Sequence, residues 1–265
     1  MWLEDSLPAP LESPVTATKP APIRAFSLPF GLLFSQTLSI YFRNFVPFTL
    51  LGAVILAPWA AMELLGPPLD RSPNAAFPAM RVVTALVQMV LTYLLTGVVT
   101  YGVVQQMRGQ TASLGNCFSK GMQNLGRSIG TGLLVGLRVI LFTLLLIVPG
   151  IMEFCRLYVA IPAAIMEERG GGHAVSRSMV LTDGSRWPIF GAGAVIMVMS
   201  TLMVFLAGFV VATLGDGLHT ASIWFLIVIN VIFQTLSATA MAVCYFLLRR
   251  GRENVDPAAL AAVFD

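Results

Sequence analysis

Apolar residues along this chain recur in two patterns, long unbroken runs and one-sided stripes. The runs cover Phe45 to Leu65, Val82 to Met107, Ile129 to Val148, Ile151 to Met166, Pro188 to Leu214 and Ala221 to Leu248. A helix rises about 1.5 Å per residue, so all but one of these runs reach the ~30 Å of a hydrocarbon core. The exception, Ile151 to Met166, would make only ~24 Å of helix, and Pro162 removes a backbone donor near its end. That segment reads either as a broken, partly re-entrant helix or as a short span sheltered by its neighbours.

The stripes come before pairs of runs. Phe30, Leu33, Phe34, Leu38, Tyr41 and Phe42 lie at helical spacing opposite Ser35, Gln36, Ser39 and Arg43. Leu114, Cys117, Phe118, Met122, Leu125 and Ile129 repeat the arrangement opposite Asn116, Ser119, Lys120, Gln123 and Arg127, with Ser113 placed to cap the start. A third stripe runs from Ala174 to Leu181. Such helices lie along a membrane surface. The expected fold is all-α: a polytopic membrane bundle of six transmembrane helices and three cytoplasmic amphipathic surface helices, in a threefold repeat of surface helix plus hairpin. Setting Ser35, Ser119 and Ser176 in register brings Leu38, Met122 and Met179 together, and Arg43 with Arg127. The third and fourth runs are expected to turn at Pro149 and Gly150.

Residues 1–27 hold five prolines and no apolar run, the composition of an extended or disordered tail, and they lack the basic start and apolar core of a signal peptide. The expected organisation is therefore a tail at 1–27, a membrane domain at 28–250 and a short C-terminal tail at 251–265.

Composition agrees with membrane insertion: 57% of residues are hydrophobic, 11% charged, and mean hydropathy is +0.82, against about 25% charged in soluble domains. The net charge of +3 makes nucleic acid an unexpected partner. The placement of the basic residues is more informative. Lys19, Arg24, Arg43, Arg108, Lys120, Arg127, Arg169, Arg177, Arg186, Arg249, Arg250 and Arg252 fall on one side of a six-span topology, and only Arg71 and Arg81 on the other. Basic residues are retained in the cytoplasm, so both ends and all three surface helices are expected there. The expected partners are membrane lipids, anionic ones first, and another membrane protein or a second copy of this chain.

Cys117, Cys155 and Cys244 share no metal or disulfide spacing, and His173 and His219 are expected in loops on opposite faces. No HExxH, GxSxG or GxxxxGK[ST] signature is present, so neither an enzyme nor a cofactor is indicated. Chemistry concentrates in three charges inside spans. Arg138 lies in the third, and Glu153 and Arg156 share one face of the fourth. Each such charge costs roughly 2.5–3.5 kcal/mol to insert, so partners are required. Glu153 can neutralise Arg156, Glu63 is placed to reach the same level, and Arg138 has no acid at its own expected height. These three residues read either as a structural ion pair or as an anion site for a lipid phosphate or a solute. Gln88, Gln105, Asn230 and Gln234 are expected to bond between helices, and Gly132 with Gly136 to permit close packing. The Gly170 to Gly172 run reads as a flexible joint or a set of phosphate donors.

The stretch from Leu141 to Gly193 carries Pro149-Gly150-Ile151, Arg156, Glu167, Ala174, Arg177, Ser178, Leu181, Thr182, Gly184, Trp187 and Phe190-Gly191. With its A-x-x-R-S-x-x-L-T-x-G-x-x-W pattern it resembles the membrane domain of bacterial glycerophosphoryl diester phosphodiesterases and related membrane proteins. In that family a soluble barrel performs the hydrolysis. The resemblance here implies a relative without the barrel, in a bacterial inner membrane, and Asp183 stands where the family pattern has a basic residue. Thr182 or Asp183 would end the third surface helix, Gly184 permit the turn and Trp187 anchor the next span. The expected function is non-enzymatic, as a lipid-associated or scaffold module. The competing reading is a transporter of small solutes or lipid using Arg138, Glu153 and Arg156.

Overall fold

The computed structural model describes residues 28–65, 76–110, 113–214 and 219–253. The expected tail at 1–27, and the C-terminal tail beyond residue 253, lie outside the described residues. Within them the chain forms ten helices and no strand: α1 Phe30–Arg43, α2 Phe45–Leu65, α3 Ala76–Met107, α4 Leu114–Gln123, α5 Leu125–Leu145, α6 Ile147–Leu157, α7 Ala160–Met166, α8 Gly172–Thr182, α9 Arg186–Leu214 and α10 His219–Glu253. Six stretches are long and apolar enough to cross a bilayer: Phe45–Leu65, Met80–Met107, Leu125–Leu145, Ile147–Met166, Arg186–Val210 and Ile223–Glu253. The protein is a multi-pass membrane protein. His173 and His219 lie in the first turns of α8 and α10 rather than in loops.

The helices form three units, each a surface helix, an outer span and an inner span: α1-α2-α3, α4-α5-α6/α7 and α8-α9-α10. Each surface helix packs on the preceding unit, α4 on α3, α8 on α6 and α7, and α1 on α10 and α9. The last of these contacts closes the units into a ring. The core is built where inner spans meet, from Leu94, Leu95, Val98, Val99 and Val103 of α3, Tyr158, Val159 and Ala163 around α7, and Ala242, Val243 and Tyr245 of α10.

A single residue, Asn44 or Asn124, joins each of the first two surface helices to its span, and Asp183 to Ser185 join the third. Asn44, Asn124 and Ser185 each accept, through the main-chain carbonyl, the N–H four residues on, from Phe48, Ser128 and Ile189. Asn44 and Asn124 also turn their side-chain amides back to the Ile40 and Lys120 carbonyls at 2.9 and 3.0 Å, a second donor on acceptors that already take the main-chain N–H of the same asparagine. Eight residues beyond each joint stands a glycine: Gly52, Gly132 and Gly193. Each faces the inner span of the preceding unit, where a Cβ would lie 2.4 Å from Thr235, 2.3 Å from Tyr93 and 3.9 Å from Phe154.

This register also unites the buried faces of the surface helices. Thr37, Cys117 and Ser178 occupy one buried position, and Tyr41, Gly121 and Thr182 the next. The Tyr41 hydroxyl donates to the Ile232 carbonyl at 3.3 Å, and that of Thr182 to the Arg156 carbonyl at 3.0 Å. At Gly121 the backbones themselves approach, and a Cβ would stand 3.1 Å from the Val98 nitrogen. The expected pairing of Ser35 with Ser176 follows this register. Ser119 and Arg127 do not, because the second unit was set one helical turn out of place. Arg43 ends a surface helix, whereas Arg127 opens a span and donates to Asn124 Oδ1 at 2.5 Å.

Candidate functional site

The third and fourth spans turn at Leu146, in extended conformation (φ −162°, ψ 144°), and not at Pro149-Gly150. Pro149 sits in the first turn of α6, where a missing N–H leaves no intrahelical bond unmade. Gly150 lets the two helices touch, since a Cβ there would lie 2.7 Å from the Thr143 Cα. Arg138 is seven residues before the end of α5 and Glu153 six after the start of α6. At about 1.5 Å per residue both lie ~9–11 Å from the turn, at one level.

There the Arg138 Nη2 is 2.9 Å from Glu153 Oε1, and the Arg156 Nη1 is 3.4 Å from Oε2. Arg138 therefore does have an acid at its own height. Glu63 forms no ion pair with either arginine among the described residues. The Glu153 side chain is 2% exposed and each arginine side chain 38%. The Arg138 contact is a charge contact without hydrogen-bond alignment, and Arg156 Nε is buried with no acceptor among the described residues. Two guanidinium groups thus share one sealed carboxylate, which leaves an excess of one positive charge with its edges open.

The fourth span is 20 residues long, Ile147–Met166, and broken at Tyr158-Val159 between α6 and α7. Pro162 explains the break: it offers no N–H to Tyr158 and its ring crowds that carbonyl. Just before the break, the Arg156 carbonyl accepts the hydroxyls of Ser178 and Thr182, at 2.8 and 3.0 Å. Arg156 therefore joins two systems, with its side chain in the charged cluster and its carbonyl on α8.

Of the remaining motif residues, Arg177 lies where α7, α8 and α10 meet. Arg177 Nε donates to Glu167 Oε1 at 2.8 Å and pairs with Glu253. Tyr245 donates to the same Glu167 oxygen at 3.2 Å, and Arg249 contacts both Tyr245, at 3.2 Å, and Glu253, at 2.9 Å. Gly184 has φ 72°, a conformation that favours glycine, directly after α8 ends at Thr182. Trp187 is 82% exposed and meets Phe190 edge-on. Tyr245, Arg249 and Glu253 were not singled out from the sequence. The spacing of Arg249 and Glu253 was visible there, but their closure on α7 and α8 spans too much of the chain for local pattern to show it.

Other expected polar contacts fall elsewhere. Gln105 bonds to Tyr101 in its own helix at 2.9 Å, and Asn230 Oδ1 is buried without a partner among the described residues. Gly132 packs on Tyr93, whereas a Cβ on Gly136 would meet nothing within 4 Å, so the two do not act as a pair. The Gly171 N–H is taken by Thr131 Oγ1 at 2.9 Å and is not a free anion donor.

The ring gives these charges a comparison inside the molecule. The register places Pro58 and Met199 where the second unit has Arg138, and the inner spans of the other units carry no Asp, Glu, Lys or Arg over 82–107 or 220–248. Two units out of three build the same architecture without charges at this depth. The chain matches no protein-family model, no curated protein and no solved structure.

Proposed function

We propose that this protein is a non-enzymatic, lipid-associated module of the bacterial inner membrane, in which Arg138 and Arg156, held by Glu153, receive one anionic group. The observation that carries this reading is two half-open arginines sharing a single buried carboxylate, in the one unit of three that departs from an apolar span. A structural pair would need one arginine for one acid. Here the second arginine leaves a charge whose insertion is costly without a further partner.

The bias of basic residues favours a cytoplasmic position for the three surface helices and both termini. The motif from Arg177 to Trp187 favours kinship with the glycerophosphodiesterase membrane domain, in an accessory or scaffold role. Mass spectrometry of lipids retained by the gently purified protein tests the reading. An anionic lipid enriched with wild type and lost with Arg138→Ala or Arg156→Ala upholds it, and bulk-membrane composition in all three overturns it.

The helix break at Tyr158-Val159, one turn from the charges, favours a second reading, a small-solute or lipid transporter, since interrupted spans line transport sites. Vesicle uptake that fails with Arg138→Ala would establish that reading instead.

A further inference from the structure

A second pair of arginines converges at the end of the bundle that carries the surface helices. Arg186, at the start of α9, donates through Nη2 to Asp183 Oδ1 at 3.2 Å, while Arg252, near the end of α10, donates through Nη2 to the Asp183 main-chain carbonyl. Two guanidinium groups from distant parts of the chain therefore meet around one residue. The Nε atoms of both are buried and have no acceptor among the described residues. Arg252 pairs with no carboxylate among them, whereas Arg249 and Arg177 are neutralised by Glu253 and Glu167.

The depth of this pair is marked by its neighbour. Trp187 adjoins Arg186 and is 82% exposed, and an outward tryptophan at a span end sits at headgroup level. Asp183 is 67% exposed beside the two arginines and fills the place of an external anion only in part.

We propose that Arg186 and Arg252 form a phosphate-binding site at the membrane interface, with the Asp183 carboxylate as its built-in competitor. The ligand class is a phosphate mono- or diester, from a lipid headgroup or from a soluble phosphate. The site shares no residue with the Arg138-Glu153-Arg156 cluster and stands or falls independently of it.

Native mass spectrometry of the full chain in detergent, titrated with phosphatidylglycerol, phosphatidylcholine, inorganic phosphate or glycerol phosphate, tests the proposal. Arg186→Gln and Arg252→Gln should each weaken binding of the phosphate ligand about fivefold, the effect of one basic group at an anionic surface. Asp183→Asn should strengthen it by about two- to fivefold, an effect that a merely structural aspartate would not give. Arg138→Gln should leave this response to Asp183→Asn intact. Phosphatidylglycerol binding with that variant pattern assigns the phosphate to lipid, and inorganic or glycerol phosphate binding with the same pattern assigns it to a solute. Binding of every ligand unchanged in both arginine variants overturns the site, as does Asp183→Asn weakening it as much as they do.

Discussion

Thr182 Oγ1 lies 3.0 Å from the carbonyl oxygen of Arg156, and Ser178 Oγ lies 2.8 Å from the same atom. Both hydroxyls are fully buried. Replacing Thr182 with Val keeps the shape and removes one of two donors, and the cost of about 1–3 kcal/mol for a buried acceptor left unsatisfied falls due only when both are gone. Because Ser178 covers the same oxygen, the single variants should be mild and the Ser178→Ala, Thr182→Val double variant more than additive. Thermal unfolding in detergent, run as a double-mutant cycle, measures this coupling.

Glu153 is the only carboxylate that pairs with Arg138 or Arg156 among the described residues. Glu153→Gln leaves two guanidinium groups facing each other in a water-poor setting and should destabilise by about 3–5 kcal/mol, as removal of one partner of a buried pair does. The Arg138→Leu, Glu153→Leu, Arg156→Leu triple variant should recover most of that loss, because α2, α3, α9 and α10 are apolar at comparable depth. A triple variant no more stable than Glu153→Gln would mean that the charges hold the hairpin together.

Glycine contacts divide into two classes. At Gly121 and Gly150 an added Cβ meets backbone of the neighbouring helix at 3.1 and 2.7 Å, while at Gly136 it meets nothing within 4 Å. Alanine at 121 or 150 should cost about 1–3 kcal/mol through forced separation of helices. Alanine at 136 should be neutral or slightly stabilising, since it relieves a poor helix former. Comparing the midpoints of the three variants checks the contrast.

Cys117, Cys155 and Cys244 are all buried. For Cys117, on surface helix α4, burial also pushes the thiol above its usual range, so the reactive thiolate forms only at higher pH. Maleimide labelling of the folded protein at pH 7 should be slow at all three sites and become complete on denaturation. Fast labelling of the native protein would contradict the packing of α4 on α3.

What could be read from the sequence follows the range of each signal. Spans and stripes are local patterns, and the six spans and three surface helices come in the expected order; the third and fourth spans begin four residues early, at Leu125 and Ile147, and Leu125 and Ile129 of the second stripe belong to the span. The register of the repeat was not local. α1 has 14 residues and α4 has 10, so aligning the two by their starts displaces the second unit by one turn. Only the joints Asn44 and Asn124, which end helices of unequal length, restore it. The partner of Arg138 was hidden for a related reason. A turn assumed at Pro149-Gly150 puts Arg138 far from the loop and Glu153 close to it, whereas a turn at Leu146 levels them. Pro149 suggested the break, but a proline in the first turn of a helix starts that helix rather than ending the one before.

Because α1 docks on α10, the ring is closed by the first and last helices of the described chain. During synthesis α1 emerges long before its partner exists, and its buried face, Leu33, Thr37, Ile40 and Tyr41, must wait at the membrane surface until all six spans, ending with α10, have been inserted. Final assembly is thus a late event that depends on the last span. A chain halted before α10 would insert stably yet display an unmatched docking face, the kind of signal by which a cell's quality control can tell an unfinished membrane protein from a finished one.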